Sequence, residues 1–145
     1  MAKSLIMCFG LPRSGKSTWT ASQIKDGVAI VNPDSIRLAL HGQDFVKEAE
    51  PMVWAIAKYM VEALFLAGHD KVLLDSTNAH KSDRDFWRTD KWTRVCHHFT
   101  TPKEVCIQRA KRDEREYLIP VIEKMAIEFE PITLFEEFLD IITHD

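Results

Sequence analysis

The residues with the clearest chemical purpose are Gly10-Leu11-Pro12-Arg13-Ser14-Gly15-Lys16-Ser17-Thr18, which satisfy the phosphate-binding pattern G-x-x-x-x-G-K-[ST]. Glycines at positions 10 and 15 permit backbone angles and close approaches that a side chain forbids. The loop from Gly10 through Pro12, Arg13 and Ser14 to Gly15 can then turn successive N–H groups inward at a phosphate chain, helped by the positive end of a following helix. Lys16 is expected to reach the β- and γ-phosphates, Ser17 to ligate Mg²⁺, and Thr18 to hydrogen-bond the α-phosphate region. A glycine-rich turn that binds nothing is the alternative, and the flanks weigh against it. Ser4 to Phe9 is an apolar run of strand length, and Trp19 to Lys25 continues as a helix until Gly27. The pattern predicts a nucleoside triphosphate site.

Other residues decide what such a site does. Asp34 follows a strand end, where a carboxylate can take or orient the proton of an acceptor hydroxyl. The same position also suits an N-cap for a helix starting at Ser35. Arg37 lies one helical turn on and shares a face with Asp34. Its fork suits a phosphate or carboxylate on the acceptor, or equally a bond to Asp34 or Asp75. Asp75 ends another strand and is expected to hold a water of the Mg²⁺ shell or to fix Arg37. Arg109, Arg112 and Arg115 recur every third residue and read as one side of a helix. They are either a solvated face or a lid, spanning about 109–120, that neutralises charge between the β- and γ-phosphates. Arg13 adds a further cation to the loop.

The elements that position these residues are predicted as alternating strands and helices. Strands are expected at 4–9, 28–32, 71–75 and 93–99, with 138–143 either a fifth strand or a last helical turn. Helices are expected over 35–40, 52–67, 83–88 with Ser82 as cap, from Pro102 onward, and 121–129. Along 52–67, Met52, Ile56, Tyr59, Met60, Ala63, Leu64 and Ala67 recur at helical spacing and are expected to face the core. Continuous apolar strands between helices predict an α/β fold, a mostly parallel five-stranded sheet covered on both faces. Ligands of such sheets bind beyond the carboxyl ends of the strands. Asp34, Asp75 and Thr100-Thr101 should therefore open onto the edge that carries the phosphate loop.

Length and composition set the bounds. With 145 residues, 46% hydrophobic and 28% charged, the chain is expected to form one globular domain, 1–145. Three cysteines in no C-x-x-C pair suggest free thiols in a reducing cytoplasm. No leader segment or membrane span is expected. Net charge is −3, unevenly spread: residues 81–115 hold ten Lys/Arg against six Asp/Glu, and residues 116–145 hold one Lys against eight acids. The middle segment can meet polyanions, though solvated helix faces explain it as well. His97-His98 should put one ring inward and one outward. Trp19, Trp54, Trp87 and Trp92 should serve the core and its rim, with Trp87 or Trp92 able to stack on a base. A GTPase would need a guanine-reading N-K-x-D, which the sequence lacks.

With these residues in place the chain resembles the kinase domain of phage-type 5′-hydroxyl polynucleotide kinases and related zeta-toxin-like P-loop kinases. The resemblance rests on Gly10 to Thr18 with Trp19 after it, on Asn32-Pro33-Asp34-Ser35-Ile36-Arg37, on Asp75-Ser76-Thr77-Asn78, and on Arg109 through Pro120-Val121. It implies a P-loop kinase fold with a helical lid and γ-phosphoryl transfer from ATP, with Mg²⁺, to a nucleic acid bearing a free 5′-hydroxyl. It implies Lys16 and Ser17 at the triphosphate and metal, Asp34 as general base, and Arg37 on the acceptor's neighbouring phosphate. Asp75 is implied to support that arginine, and Arg109 and Arg112 to act from the lid. Similar patterns occur in kinases of nucleosides, nucleotides, other small molecules and hydroxymethylated bases within DNA. A non-catalytic ATP-binding module is a further alternative. Arg13 stands where these kinases more often carry glycine, and no D-x-D-G-T phosphatase motif is present.

Overall fold

Ser4–Phe9, Ala29–Val31, Lys71–Leu74, Thr93–Phe99 and Asp140–His144 form strands β1 to β5 of one sheet in a computed structural model that describes residues 2–42 and 45–145. The order is β2-β3-β1-β4-β5 and all four pairings are parallel. The segment 138–143 thus resolves as a strand, with Cys96 of β4 opposite Ile141. Because β1 lies between β3 and β4, the chain changes direction across the sheet on either side of it, and the crevice at such a point is where ligands enter.

Successive residues of β1 point to opposite faces. Leu5 and Met7 face one side, packed with Val72, Leu74 and the helices Pro33–His41 (α2) and Glu50–Leu66 (α3). Ile6 and Cys8 face the other, with Leu73, Phe99 and Trp19 of the helix Lys16–Lys25 (α1). Both faces are buried, which is why the strands carry unbroken apolar runs. Among the described residues no helix is long and apolar enough to cross a membrane.

Several sequence expectations are corrected. The buried stripe of α3 is Val53, Ala57, Val61 and Phe65, whereas Met52, Tyr59 and Met60 are exposed. The helix is apolar nearly all round, so several i, i+4 series compete, and the slimmer Val-Ala-Val series allows close approach to the sheet. Helix α2 starts at Pro33 and is capped by Asn32, whose Oδ1 accepts from the Asp34 N–H at 2.8 Å. Asp34 is therefore not the cap. Ser82 caps nothing either, since the helix Lys81–Asp85 (α4) begins before it. Trp87 and Trp92 are buried, so neither ring is open to a base.

Two further helices, Lys103–Arg112 (α5) and Ile119–Glu128 (α6), enclose Cys106, Ala110 and Ile122 and pack on Leu11 of the phosphate loop. Arg115 lies past the end of α5, which corrects the expectation of three arginines on one helical side. Arg84, buried in α4, donates to the carbonyls of Asn78 and Ala79 and to Glu136. It thereby ties the loop after β3 to the segment leading into β5.

Candidate active site

The phosphate loop begins where β1 ends. A Cβ at Gly10 would stand 2.8 Å from the Cβ and 2.9 Å from the carbonyl oxygen of Phe99, so only glycine fits. Gly15 sits at φ 106°, the left-handed region that favours glycine, and opens α1 as its N-cap. Arg13 also has a positive φ, 68°, which costs a non-glycine residue energy and explains why glycine is common there. The loop is pinned from below: Thr101 donates its hydroxyl to the Ser14 carbonyl at 3.0 Å, and Asn78 donates to the Cys8 carbonyl at 2.8 Å. Arg13 Nε and Ser14 Oγ are buried without a partner, and Lys16 Nζ folds back onto the Gly10 carbonyl at 2.6 Å. A turn built only for structure would satisfy these donors. Unmet donors and a returning ammonium fit a loop shaped for a phosphate chain.

Burial pushes the Lys16 ammonium below its usual range, opposed by the nearby Cys8 and Asp75. Burial likewise raises the Asp75 carboxyl, with Lys16 pulling it down and Asp34 adding to the rise. Asp75 Oδ2 accepts from Asn32 Nδ2 at 3.3 Å. Ser17 and Asp75 suit Mg²⁺, which keeps several waters and takes one or two protein oxygens beside the substrate phosphates. The Cys8 thiol, buried under the loop, is pushed up to about 12 and stays protonated.

Across the cleft, Arg37 is held on two sides. Its Nε and Nη2 donate to Glu50 at 2.9 and 2.7 Å, and its Nη1 donates to Asp34 Oδ1 at 2.7 Å. The expectation that Asp75 supports Arg37 is corrected: Glu50, in the first turn of α3, does so. The bond from Arg37 holds the Glu50 carboxyl below its usual range. Asp34 keeps 70% of its side chain exposed and Oδ2 free of hydrogen bonds among the described residues.

At the opposite end, Arg109 donates to the Arg13 carbonyl at 3.1 Å. Arg13 pairs with Asp113, and Arg112 donates to both oxygens of the same carboxylate at 3.1 and 3.2 Å. All the proposed site residues from Pro12 to Thr18, with Asp34, Arg37, Asp75, Arg109 and Arg112, line one cleft of about 1290 Å³. That exceeds the usual volume for one small ligand, so donor and acceptor fit together. Gly10 is not among the lining residues; it packs on Phe99 behind the loop, and its carbonyl accepts from Lys16.

Sequence reasoning gave no role to Glu50, Asp113 or His144. The His97 Nδ1 and His144 Nε2 lie 2.8 Å apart, and His144 stacks on Phe99. Burial and the facing His144 push His97 down to about 4, so the His97 ring is neutral near pH 7. Only the acid in the first turn of α3 offered a signal for Glu50, and it equally suited the helix dipole.

A comparison with curated proteins finds no match. Two solved Pnkp1/Rnl/Hen1 complexes, one described as an RNA repair complex, align at TM-score 0.65 with 26% and 19% identity. The alignments cover 74% and 90% of this chain, which spans 39% and 48% of those longer chains. A fungal RNA kinase aligns at TM-score 0.63 and 14% identity, over 100% of this chain and 75% of the other. Shikimate kinase from Acinetobacter baumannii, solved with shikimate, aligns at 0.58 and 18%, over 100% and 85%. The model of the AAA domain family AAA_33 matches residues 5–131, so the chain belongs to that family and has the fold of the P-loop kinases.

Proposed function

We propose that the protein is an ATP-dependent kinase that transfers the γ-phosphoryl group to a hydroxyl of a nucleic acid, the 5′-hydroxyl end of DNA or RNA. The observation that carries this reading is Asp34: Asn32 caps α2 in its place, leaving an exposed carboxylate beside Arg37 in the phosphate-loop cleft. The acceptor oxygen attacks the γ-phosphorus, its proton passes to Asp34, and the β–γ bridging oxygen leaves with ADP. Lys16, Arg109 and Arg112 stabilise charge on the phosphates. Ser17 and Asp75 would hold Mg²⁺, which supplies further charge neutralisation when bound. The similarity to RNA-repair and RNA-kinase structures supports the nucleic-acid acceptor.

A second reading, a kinase of a nucleoside or other small molecule, is favoured by one feature. Arg37 already faces two carboxylates, which weakens its pull on an acceptor phosphate. Labelled γ-phosphate from ATP, offered to 5′-hydroxyl oligonucleotides, hydroxymethylated DNA, nucleosides and ring-free polyols, separates the two. Transfer to oligonucleotides is expected. Transfer only to small molecules would replace the first reading with the second, and ATP binding without transfer would leave a non-catalytic module.

A further inference from the structure

The acceptor half of the cleft differs from the donor half in charge. Asp34 and Asp83 line it beside Arg37, a cation offset by Asp34 and Glu50. Such a wall repels an extended polyanion. Of the five Arg37 N–H groups, three are engaged, which leaves one on each terminal nitrogen. Arg37 can still donate hydrogen bonds, but it supplies little net charge.

Trp54, in the second turn of α3, also lines the cleft. Its indole meets Phe86 and the fully buried Trp87 in edge-on contacts, with ring centroids 6.3 and 6.4 Å away, and the Arg37 guanidinium lies over the indole ring, 5.7 Å from its centroid. The ring is therefore fixed before any acceptor arrives. A rigid aromatic plane beside a free carboxylate and two spare N–H donors suits a flat ring attached to a hydroxylated sugar.

We propose that Trp54 is the specificity-determining residue of the acceptor site, stacking on the base of the single nucleoside that carries the reacting hydroxyl. This rests on the kinase reading above and narrows it. The acceptor is recognised as one nucleoside, at the end of a strand or free, by stacking and two hydrogen bonds. A charged track along the strand has no part in it.

Steady-state kinetics with a 5′-hydroxyl oligonucleotide, a free nucleoside and a ring-free polyol test the assignment in the wild-type protein, Trp54→Phe and Trp54→Leu. Trp54→Leu is expected to raise the KM of a nucleoside-bearing acceptor roughly 5- to 150-fold, the usual cost of losing one stacked base. Trp54→Phe should restore most of it, and an unchanged KM for ATP shows that both variants fold. The slope of log KM against log salt for the oligonucleotide should stay below about one phosphate's worth. Oligonucleotide transfer with a KM indifferent to Trp54→Leu would overturn the stacking role and leave the kinase reading standing. A slope of several phosphates would do the same to single-nucleoside recognition. Efficient transfer to the polyol, with none to either nucleoside acceptor, would sink the nucleic-acid acceptor and the stacking role together and leave a small-molecule kinase.

Discussion

At the donor end of the cleft Arg13 and Arg112 share one carboxylate, that of Asp113, whereas at the acceptor end Arg37 is shared between two, Glu50 and Asp34. The surroundings differ as well. Arg112 is 69% exposed and Asp113 33%, while Arg37 and Glu50 are 14% and 18% exposed. Exposed pairs are screened and exchange readily. A pair held in the low-dielectric rim by two parallel bonds does not. On the proposed function, the donor end thus keeps cations in surplus, loosely parked, for a polyanion that comes and goes. The acceptor end spends its cation on fixing geometry. Loose arginines suit charge neutralisation during transfer, and a fixed arginine suits the alignment of a hydroxyl.

The sharpest way to break this contrast is to remove the charge the acceptor end presents. Asp34→Asn is expected to lower turnover about 10²- to 10⁴-fold, the range for losing a general base. ATP affinity should hold, because Asn32 and not Asp34 caps α2. Single-turnover transfer and ATP calorimetry read the two effects separately. Turnover within a few-fold of wild type would remove Asp34 from the chemistry.

Glu50→Gln comes next. It leaves one amide oxygen to accept from Arg37 where two carboxylate oxygens accepted before. Losing a charge-assisted bond in a partly buried site costs about 2 kcal/mol, or roughly 4–8 °C in melting temperature for a chain of this size. The KM for acceptor should rise with it as Arg37 loosens. The sign with pH follows from the depressed Glu50 carboxyl, below its ordinary 4.5. The unfolded chain binds the proton more tightly, so this contribution is complete above about 4.5 and is lost as pH falls through the lower folded value. Melting curves of Glu50→Gln and wild type should therefore converge in acid. Coincident curves at every pH would mean that the pair contributes no stability, and a constant gap would mean that the Glu50 charge carries none of it.

Much of this was legible in the residues. The phosphate loop, the first four apolar strands and the helix stop at Gly27 follow from local chemistry, since each needs only its own neighbours. Asp34 looked divided between base and cap. Pro33 removed the cap reading, because a proline at the first helical position leaves the residue before it, Asn32, as the cap. The working face of α3 was not legible, as a helix apolar nearly all round gives periodicity no contrast. The partners of Arg37 and Arg13 were not legible either. Glu50 is thirteen residues from Arg37, and Asp113 one hundred from Arg13, and only the folded sheet edge brings each pair together.

The smallest effect tests the donor end. Arg112 holds the Asp113 carboxyl below its usual range, with Arg13 adding to the shift. On the proposed function, this carboxylate competes with phosphate oxygens for both guanidiniums. Asp113→Asn removes the competitor's charge and keeps its size, so ATP should bind about 2- to 5-fold tighter, the modest range of an exposed pair. The gain should shrink as salt rises from 50 mM towards about 1 M, where the screening length falls to roughly 3 Å. Acceptor KM should not move, since Asp113 pairs with Arg13 and Arg112, and Arg37 is held by Glu50 and Asp34. Calorimetry with ATP at two salt concentrations decides the matter. Weaker binding in Asp113→Asn would show that the carboxylate orders Arg13 and Arg112 for the triphosphate, and the contrast between parked and fixed arginines would then fail at its donor end.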